Sequence, residues 1–189
     1  MKRRAELEAR TRQRITESAV ELHGTLGPAR TSMKAVAERA GVPRSTVYRH
    51  FADEEALFGA CSAHWAAENP PPDVSLWEKA DDPDERLRVA LDALYAYYRR
   101  AGGMLDKLLR DEATVPIVAE LFAPYHQFMG SIVELLARGR SLRGKARDRT
   151  RAAIAHAVSF RTWQQLTGEA GLGDEEAAEL MRRLVAAAA

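Results

Sequence analysis

Within the run Arg44-Ser45-Thr46-Val47-Tyr48-Arg49-His50-Phe51 the chain gathers two guanidinium groups, two aliphatic hydroxyls, a phenol and an imidazole. All of these hydrogen-bond well to phosphate oxygens, and an arginine also fits the O6/N7 edge of guanine as a bidentate fork. Val47 and Phe51 stand at i,i+4, so on a helix they turn inward together. Arg44, Ser45, Thr46, Tyr48 and Arg49 are then left near or on the outside. The chemistry this suggests is DNA contact, with Arg44 and Ser45 placed to meet base edges and Arg49 a phosphate partner. Upstream, Ser32 can offer a hydroxyl to a phosphate, and Lys34 is a further candidate for a base or phosphate contact.

No set of residues suited to catalysis competes with this reading. The histidines, at positions 23, 50, 64, 126 and 156, form no metal-binding pair at i,i+4. There is no G-x-S-x-G, no glycine-rich phosphate loop and no Cys–His arrangement in a recognisable context. No catalytic residue, no metal and no cofactor is expected, and the protein reads as a non-enzyme. The single cysteine, Cys61, excludes an intrachain disulfide and is expected to be a small apolar filler.

A helix-turn-helix must position the contact residues. Thr31 or Ser32 can cap a helix whose apolar residues Met33, Val36, Ala37 and Ala40 follow at helical spacing. Gly41 supplies the left-handed residue past its end, and Val42-Pro43 restart the chain for the second helix. Before it, residues 4–25 read as a helix through Ile15, Ala19, Leu22 and Leu26. Asp53, with Glu54 and Glu55 in the first turn, caps a following helix that carries Leu57, Phe58, Cys61 and Trp65. Asn69-Pro70-Pro71-Pro72 ends it.

Asp82-Pro83-Asp84-Glu85 opens another helix, expected to stop near Gly102-Gly103 and be followed by a short one. Pro116 to about Ala137 carries one apolar stripe, which Pro124 should kink or split. A long helix near 147–167 and a last one from Asp174, as its cap, to about Ala187 complete an all-α fold. Arg138–Arg151 is rich in arginine but is expected to be a solvated loop and helix start.

At 189 residues the chain can bury a sizeable core. No stretch of about 18 apolar residues and no signal-peptide core follow Met1-Lys2-Arg3-Arg4, so a cytoplasmic protein without membrane association is expected. The formal net charge of +1 conceals an asymmetry: residues 1–50 hold 11 Lys and Arg against 5 Glu, a net +6 that leaves −5 on the rest. A basic N-terminal third on an acidic remainder suits a DNA-contacting head on a body that does not touch DNA.

The segment AERAGVPRSTVYRHFADEEALF resembles the DNA-binding signature of TetR-family transcriptional regulators: A-x-x-A-G-V at the turn, Tyr-x-His-Phe closing the recognition helix, then Ala-Leu-Phe on an acidic-capped helix. The match is dense from about Arg14 to Phe58 and fades beyond residue 65. The resemblance implies phosphate contacts from Thr46, Tyr48 and His50. Many relatives carry a phosphate-binding lysine just after this block. Here Asp53-Glu54-Glu55 stand instead, and the basic arm Lys2, Arg3, Arg4, Arg10, Arg12 and Arg14 is expected to take over part of that binding.

The resemblance further implies a DNA-binding domain over 1–52, a connecting helix at 53–68, and a helical regulatory and dimerisation domain over 69–189. An apolar effector pocket in that body would draw its lining from Trp65, Tyr95, Phe122, Tyr125, Met129, His156, Phe160 and Trp163. A homodimer would form through the last two long helices, with Ala153 and Ala157 on one and Ala177, Leu180, Met181 and Leu184 on the other. The expected function is a repressor released from a palindromic double-stranded DNA operator by a small effector. A ligand-independent DNA-binding protein or an activator shares the same head and would be marked by an interior without a pocket. A small-molecule-binding module without DNA binding is opposed by the intact Thr46/Tyr48 helix.

Overall fold

Side-chain caps set several element boundaries. The structure, a computed structural model, describes residues 2–189 and contains among them ten α-helices and no strand. The helices are α1 (Lys2–Thr25), α2 (Met33–Ala40), α3 (Arg44–His50), α4 (Glu54–Glu68), α5 (Ser75–Glu78), α6 (Pro83–Asp111), α7 (Pro116–Ala137), α8 (Gly144–Ala157), α9 (Phe160–Gln164) and α10 (Asp174–Ala187). Ser32 caps α2 by accepting from Ala35 N at 3.2 Å, and Asp53 caps α4 by accepting from Ala56 N at 2.7 Å. Asp82 does the same for α6 through Glu85 N at 3.1 Å. Among the described residues no helix is long and apolar enough to cross a membrane.

The chain forms two compact units that are not contiguous in sequence. The first contains residues 1–70 and 103–122, the second residues 71–102 and 123–189. In the first, Ile15 and Ala19 of α1, Val36 and Ala37 of α2, Val47 of α3, Phe51, and Leu57 and Cys61 of α4 form one buried cluster. Fully burying a side chain such as Ile15 or Val47 contributes about 1.5–3 kcal/mol, which fixes the angle between α2 and α3. Residues 2–10 of α1 carry no part of this core and are exposed.

The second unit is built around α6. Its Tyr98 ring packs edge-on against Phe160 at 5.4 Å between centroids and beside Trp163 at 5.8 Å. The expected stop at Gly102-Gly103 does not occur: α6 runs unbroken to Asp111. Gly102 serves close approach instead, since a Cβ there would already touch the Phe160 and Trp163 rings at 3.4 Å. Pro124 likewise leaves α7 in one piece, with the turn it interrupts exposed at Glu120 and Leu121.

The long helix expected near 147–167 is in fact broken. It ends at Ala157 and restarts at Phe160, then closes in a π-turn over Gln165–Glu169. The break frees two carbonyls, and buried tyrosines of α6 take them up: Tyr95 Oη donates to Ala157 O at 2.9 Å, and Tyr98 Oη to Val158 O at 2.6 Å. These bonds satisfy both the phenols and the broken backbone, so the break costs little. Asp174 is not the cap of α10, a position held by Gly173. Its carboxylate instead accepts from Trp163 Nε1 at 2.8 Å and Arg99 Nε at 3.1 Å. Arg86 is buried and donates to Ala80 O at 2.7 Å and Arg138 O at 3.0 Å, tying the start of α6 to the end of α7.

Candidate nucleic-acid interface

The turn between α2 and α3 is built by Gly41, whose φ of 63° and ψ of 38° lie in the left-handed region. Val42 N reaches back to Ala37 O at 3.0 Å, which satisfies an orphan carbonyl at the end of α2. Pro43 opens α3, and its carbonyl accepts from Thr46 N at 2.8 Å. With Val47 and Phe51 anchored in the core, Arg44, Ser45, Tyr48 and Arg49 are exposed, and Thr46 and His50 half-buried. Ser32 and Lys34 are exposed at the start of α2. The eight residues expected to meet DNA therefore lie on α2, its cap and α3, within one unit.

Two of them are already joined. Arg44 Nη2 donates to Tyr48 Oη at 3.0 Å, and its guanidinium carbon sits 5.4 Å from the Tyr48 ring centroid. Stacking of this kind pre-orders the arginine, and the pair is exposed enough to exchange for a base edge or a phosphate. Among the described residues Lys34 has only an exposed ion pair with Glu38 at 3.7 Å, too weak to hold it from a phosphate.

Arg12 departs from the expected free arm. It donates to the His50 carbonyl, and its guanidinium lies 4.1 Å over the Phe51 ring, so it braces the C-terminal end of α3. No sequence signal marks this role, because the partners are 38 residues apart. The His50 ring nitrogen Nε2 is buried without a partner. Desolvation first, then the Arg49 and Arg12 charges, hold its pKa below the ordinary value, while Glu8 opposes them. A phosphate against this group would supply the missing acceptor and favour its proton.

The loop leading into α2 is held from below by the C-terminal end of α6. Asp111 Oδ2 accepts from Ala29 N at 3.0 Å, and Oδ1 from Arg110 Nε at 2.7 Å; Arg110 also donates to Leu26 O at 2.8 Å. Gly27 passes over both side chains with φ 93° and ψ 159°, a region only glycine adopts readily. The part that Asp111 and Gly27 play in holding this loop was not legible in the sequence. His23 and Cys61 lie buried nearby in the same unit, with Sγ 3.3 Å from Nδ1.

The residues expected to line an effector pocket are divided between the units: Trp65 and Phe122 belong to the first, the others to the second. Tyr95, Phe160 and Trp163 are buried and pack within the second unit, with the Tyr95 hydroxyl and the indole N–H both used. Met129 and Tyr125 are half-buried, and the exposed His156 has Nδ1 3.2 Å from Thr162 Oγ1. Of the residues expected at a dimer interface, Ala157, Ala177 and Met181 are buried within the chain and Ala153 half-buried. Leu180 and Leu184 are 38% and 48% exposed, one turn apart on the outer face of α10.

A basic head in which a capped helix, a left-handed glycine and an outward-facing second helix are locked by one core is a helix-turn-helix DNA-binding domain. Residues 15–61 match the model of the bacterial regulatory proteins of the tetR family. The chain is 27% identical over 160 residues to the HTH-type transcriptional regulator AcrR of Shigella flexneri, covering 84% of this chain and 69% of that one. A TetR-like transcriptional regulator from Rhodococcus sp. RHA1 superposes with a TM-score of 0.64 at 20% identity, over 93% of each chain. A TetR transcription regulator from Haloarcula marismortui gives 0.58 at 14% identity, over 96% of this chain and 97% of its own. The match over residues 15–61 and the likeness along the rest of the chain support a DNA-binding transcriptional regulator of the tetR family.

Proposed function

We propose that the protein is a cytoplasmic repressor that binds a palindromic operator as a homodimer and leaves it when a small apolar effector occupies the body. The DNA-contacting function is assigned to residues 1–52, joined through 53–68 to a body over 69–189. The observation that carries the reading is α3 itself, anchored by Val47 and Phe51 with Arg44, Ser45, Tyr48 and Arg49 turned out. Arg44 and Ser45 are assigned to base edges, and Ser32, Thr46, Tyr48, Arg49 and His50 to phosphates; Lys34 serves either.

Arg44→Ala is expected to cost about 1–3 kcal/mol on the specific site and to relax preference at one base pair. Thr46→Ala with Tyr48→Phe should weaken binding to all sequences alike. Fluorescence anisotropy on the chain's own promoter and on random duplex, at physiological salt, measures both. Equal affinity of the wild type for the two duplexes defeats the assignment.

One head makes only a few base contacts, so useful specificity calls for two heads about 34–36 Å apart on a two-fold axis. Leu180 and Leu184 supply the apolar contact that supports a dimer through α8 and α10. Leu180→Glu with Leu184→Glu should sediment as a monomer and bind operator weakly; a wild type that is monomeric at micromolar concentration overturns the dimer and the palindrome together. Effector release is tested by screening apolar compounds for displacement of the protein from operator DNA.

A further inference from the structure

We propose that the cleft between the end of α7 and the first turns of α8 binds a small oxyanion, a phosphate or carboxylate group on a small molecule. The cleft measures about 150 Å³ and is lined by Arg138, Arg140, Arg147 and Arg151, with Glu134 as its carboxylate and Thr150 among its walls. That volume holds a few waters, hence one oxyanion group and not a nucleotide. The site lies wholly within the second unit.

Two side chains of the cleft lining have no partner among the described residues. Thr150 is 1% exposed, and its Oγ1 has no hydrogen-bond partner. Several other helical threonines return the proton to the carbonyl four residues back: Thr11 to Leu7, Thr16 to Arg12 and Thr167 to Trp163. Thr150 does not, and a buried hydroxyl without a bond is costly. Arg147 has no ion pair or hydrogen bond among the described residues.

The other arginines hold the frame. Arg140 is fixed by Leu136 O at 3.2 Å, Pro83 O at 2.9 Å and Asp84 at 2.8 Å, with its side chain 9% exposed. It is therefore not the solvated residue expected from the sequence. Arg151 pairs with Glu134, and Arg138 reaches Glu78 at 3.7 Å. Cationic forks around a buried, unbonded hydroxyl form a donor set that suits an oxyanion, which accepts several charge-assisted bonds at once.

Isothermal titration of the full chain with inorganic phosphate and, separately, acetate tests the site, at constant ionic strength in chloride. One anion per chain is expected, and the stronger of the two probes separates a phosphate from a carboxylate ligand. Thr150→Val and Arg147→Gln should each weaken binding roughly tenfold, whereas Arg44→Ala on the DNA-contacting face should leave it unchanged. Without anion, Thr150→Val should unfold at or above the wild-type temperature, which separates lost binding from lost folding. Failure of both probes to bind, or equal binding by wild type, Thr150→Val and Arg147→Gln, overturns the proposal. So does an Arg147→Gln variant that loses affinity for duplex DNA and keeps its affinity for phosphate.

Discussion

Gly27→Ala is expected to destabilise the protein by about 3 kcal/mol or more, while Gly24→Ala, three residues earlier, should be neutral or stabilising. The backbone at Gly27 sits at φ 93° and ψ 159°, where a residue with a Cβ pays about 1–3 kcal/mol of strain. The added methyl would also overlap the Arg110 guanidinium and the Asp111 carboxylate. Asp111 is 4% exposed, and its low pKa comes first from the Arg110 hydrogen bond and then, against desolvation, from the Ala29 amide. Displacing either donor leaves a buried carboxylate short of a partner, which is the expensive way to break such a pair. Gly24 lies in the last turn of α1, and a Cβ there would meet only Met104 Cε at 3.6 Å. Alanine at that position gains helix propensity of up to about 1 kcal/mol. Urea denaturation of both variants provides the comparison. A Gly27→Ala midpoint within error of wild type would show that the contact between Gly27, Arg110 and Asp111 does not hold the loop. Operator affinity should fall in the same variant, because this loop leads into Ser32 and α2.

Stability should drop by about 3 kcal/mol as pH falls from 6.5 to 4, and His23→Phe should remove most of that slope. The His23 ring is buried, 5.1 Å from the Phe58 ring, and desolvation lowers its pKa from 6.5 to about 4 against the opposing pull of Asp111. In the unfolded chain the imidazole takes its proton near 6.5, so between the two values the unfolded state binds more protons than the folded one. The contribution is complete above pH 6.5, shrinks through the window and is gone below about 4; a gap of this size corresponds to about 3 kcal/mol. His50 is shifted the same way but is only half-buried, so it adds less. Carboxylates held low, such as Asp111, lose their contribution at lower pH, below 3.8. Urea midpoints at pH 7.5, 6.0, 5.0 and 4.5, compared between wild type and His23→Phe, separate the two ranges. Parallel curves for the two proteins would remove His23 as the cause. Cys61 does not compete in this window, since burial pushes its thiol up to about 12.

The DNA-contacting head was legible because its determinants are local. Ser32, Gly41, Pro43 and Asp53 act within a few residues of where they stand, through caps, a left-handed turn and a fixed φ. Val47 and Phe51 divide inside from outside by spacing alone. Family resemblance then supplied roles for Thr46, Tyr48 and His50 that spacing does not give. The body was less legible for the opposite reason. A glycine pair reads as a stop until Phe160 and Trp163 are seen pressed against Gly102. A helix reads as continuous through Val158 until Tyr95 and Tyr98 are seen to take its carbonyls. An apolar stripe on α10 does not say which half faces inward, and only packing puts Ala177 and Met181 inside and Leu180 and Leu184 out.

By itself the sequence determined an all-α chain, the bounds of its helix-turn-helix, the row of donors on α3 and the charge difference between head and remainder. These follow from backbone preferences and from periodicities of a few residues. The tertiary structure alone decided that residues 103–122 join the first unit, that Arg12 braces α3, that Asp111 holds the loop before α2, and that the hydroxyl of Thr150 is stranded among arginines. Each of these depends on burial or on a partner far along the chain, and the cost of burying a polar group is settled by what surrounds it, which no local pattern records.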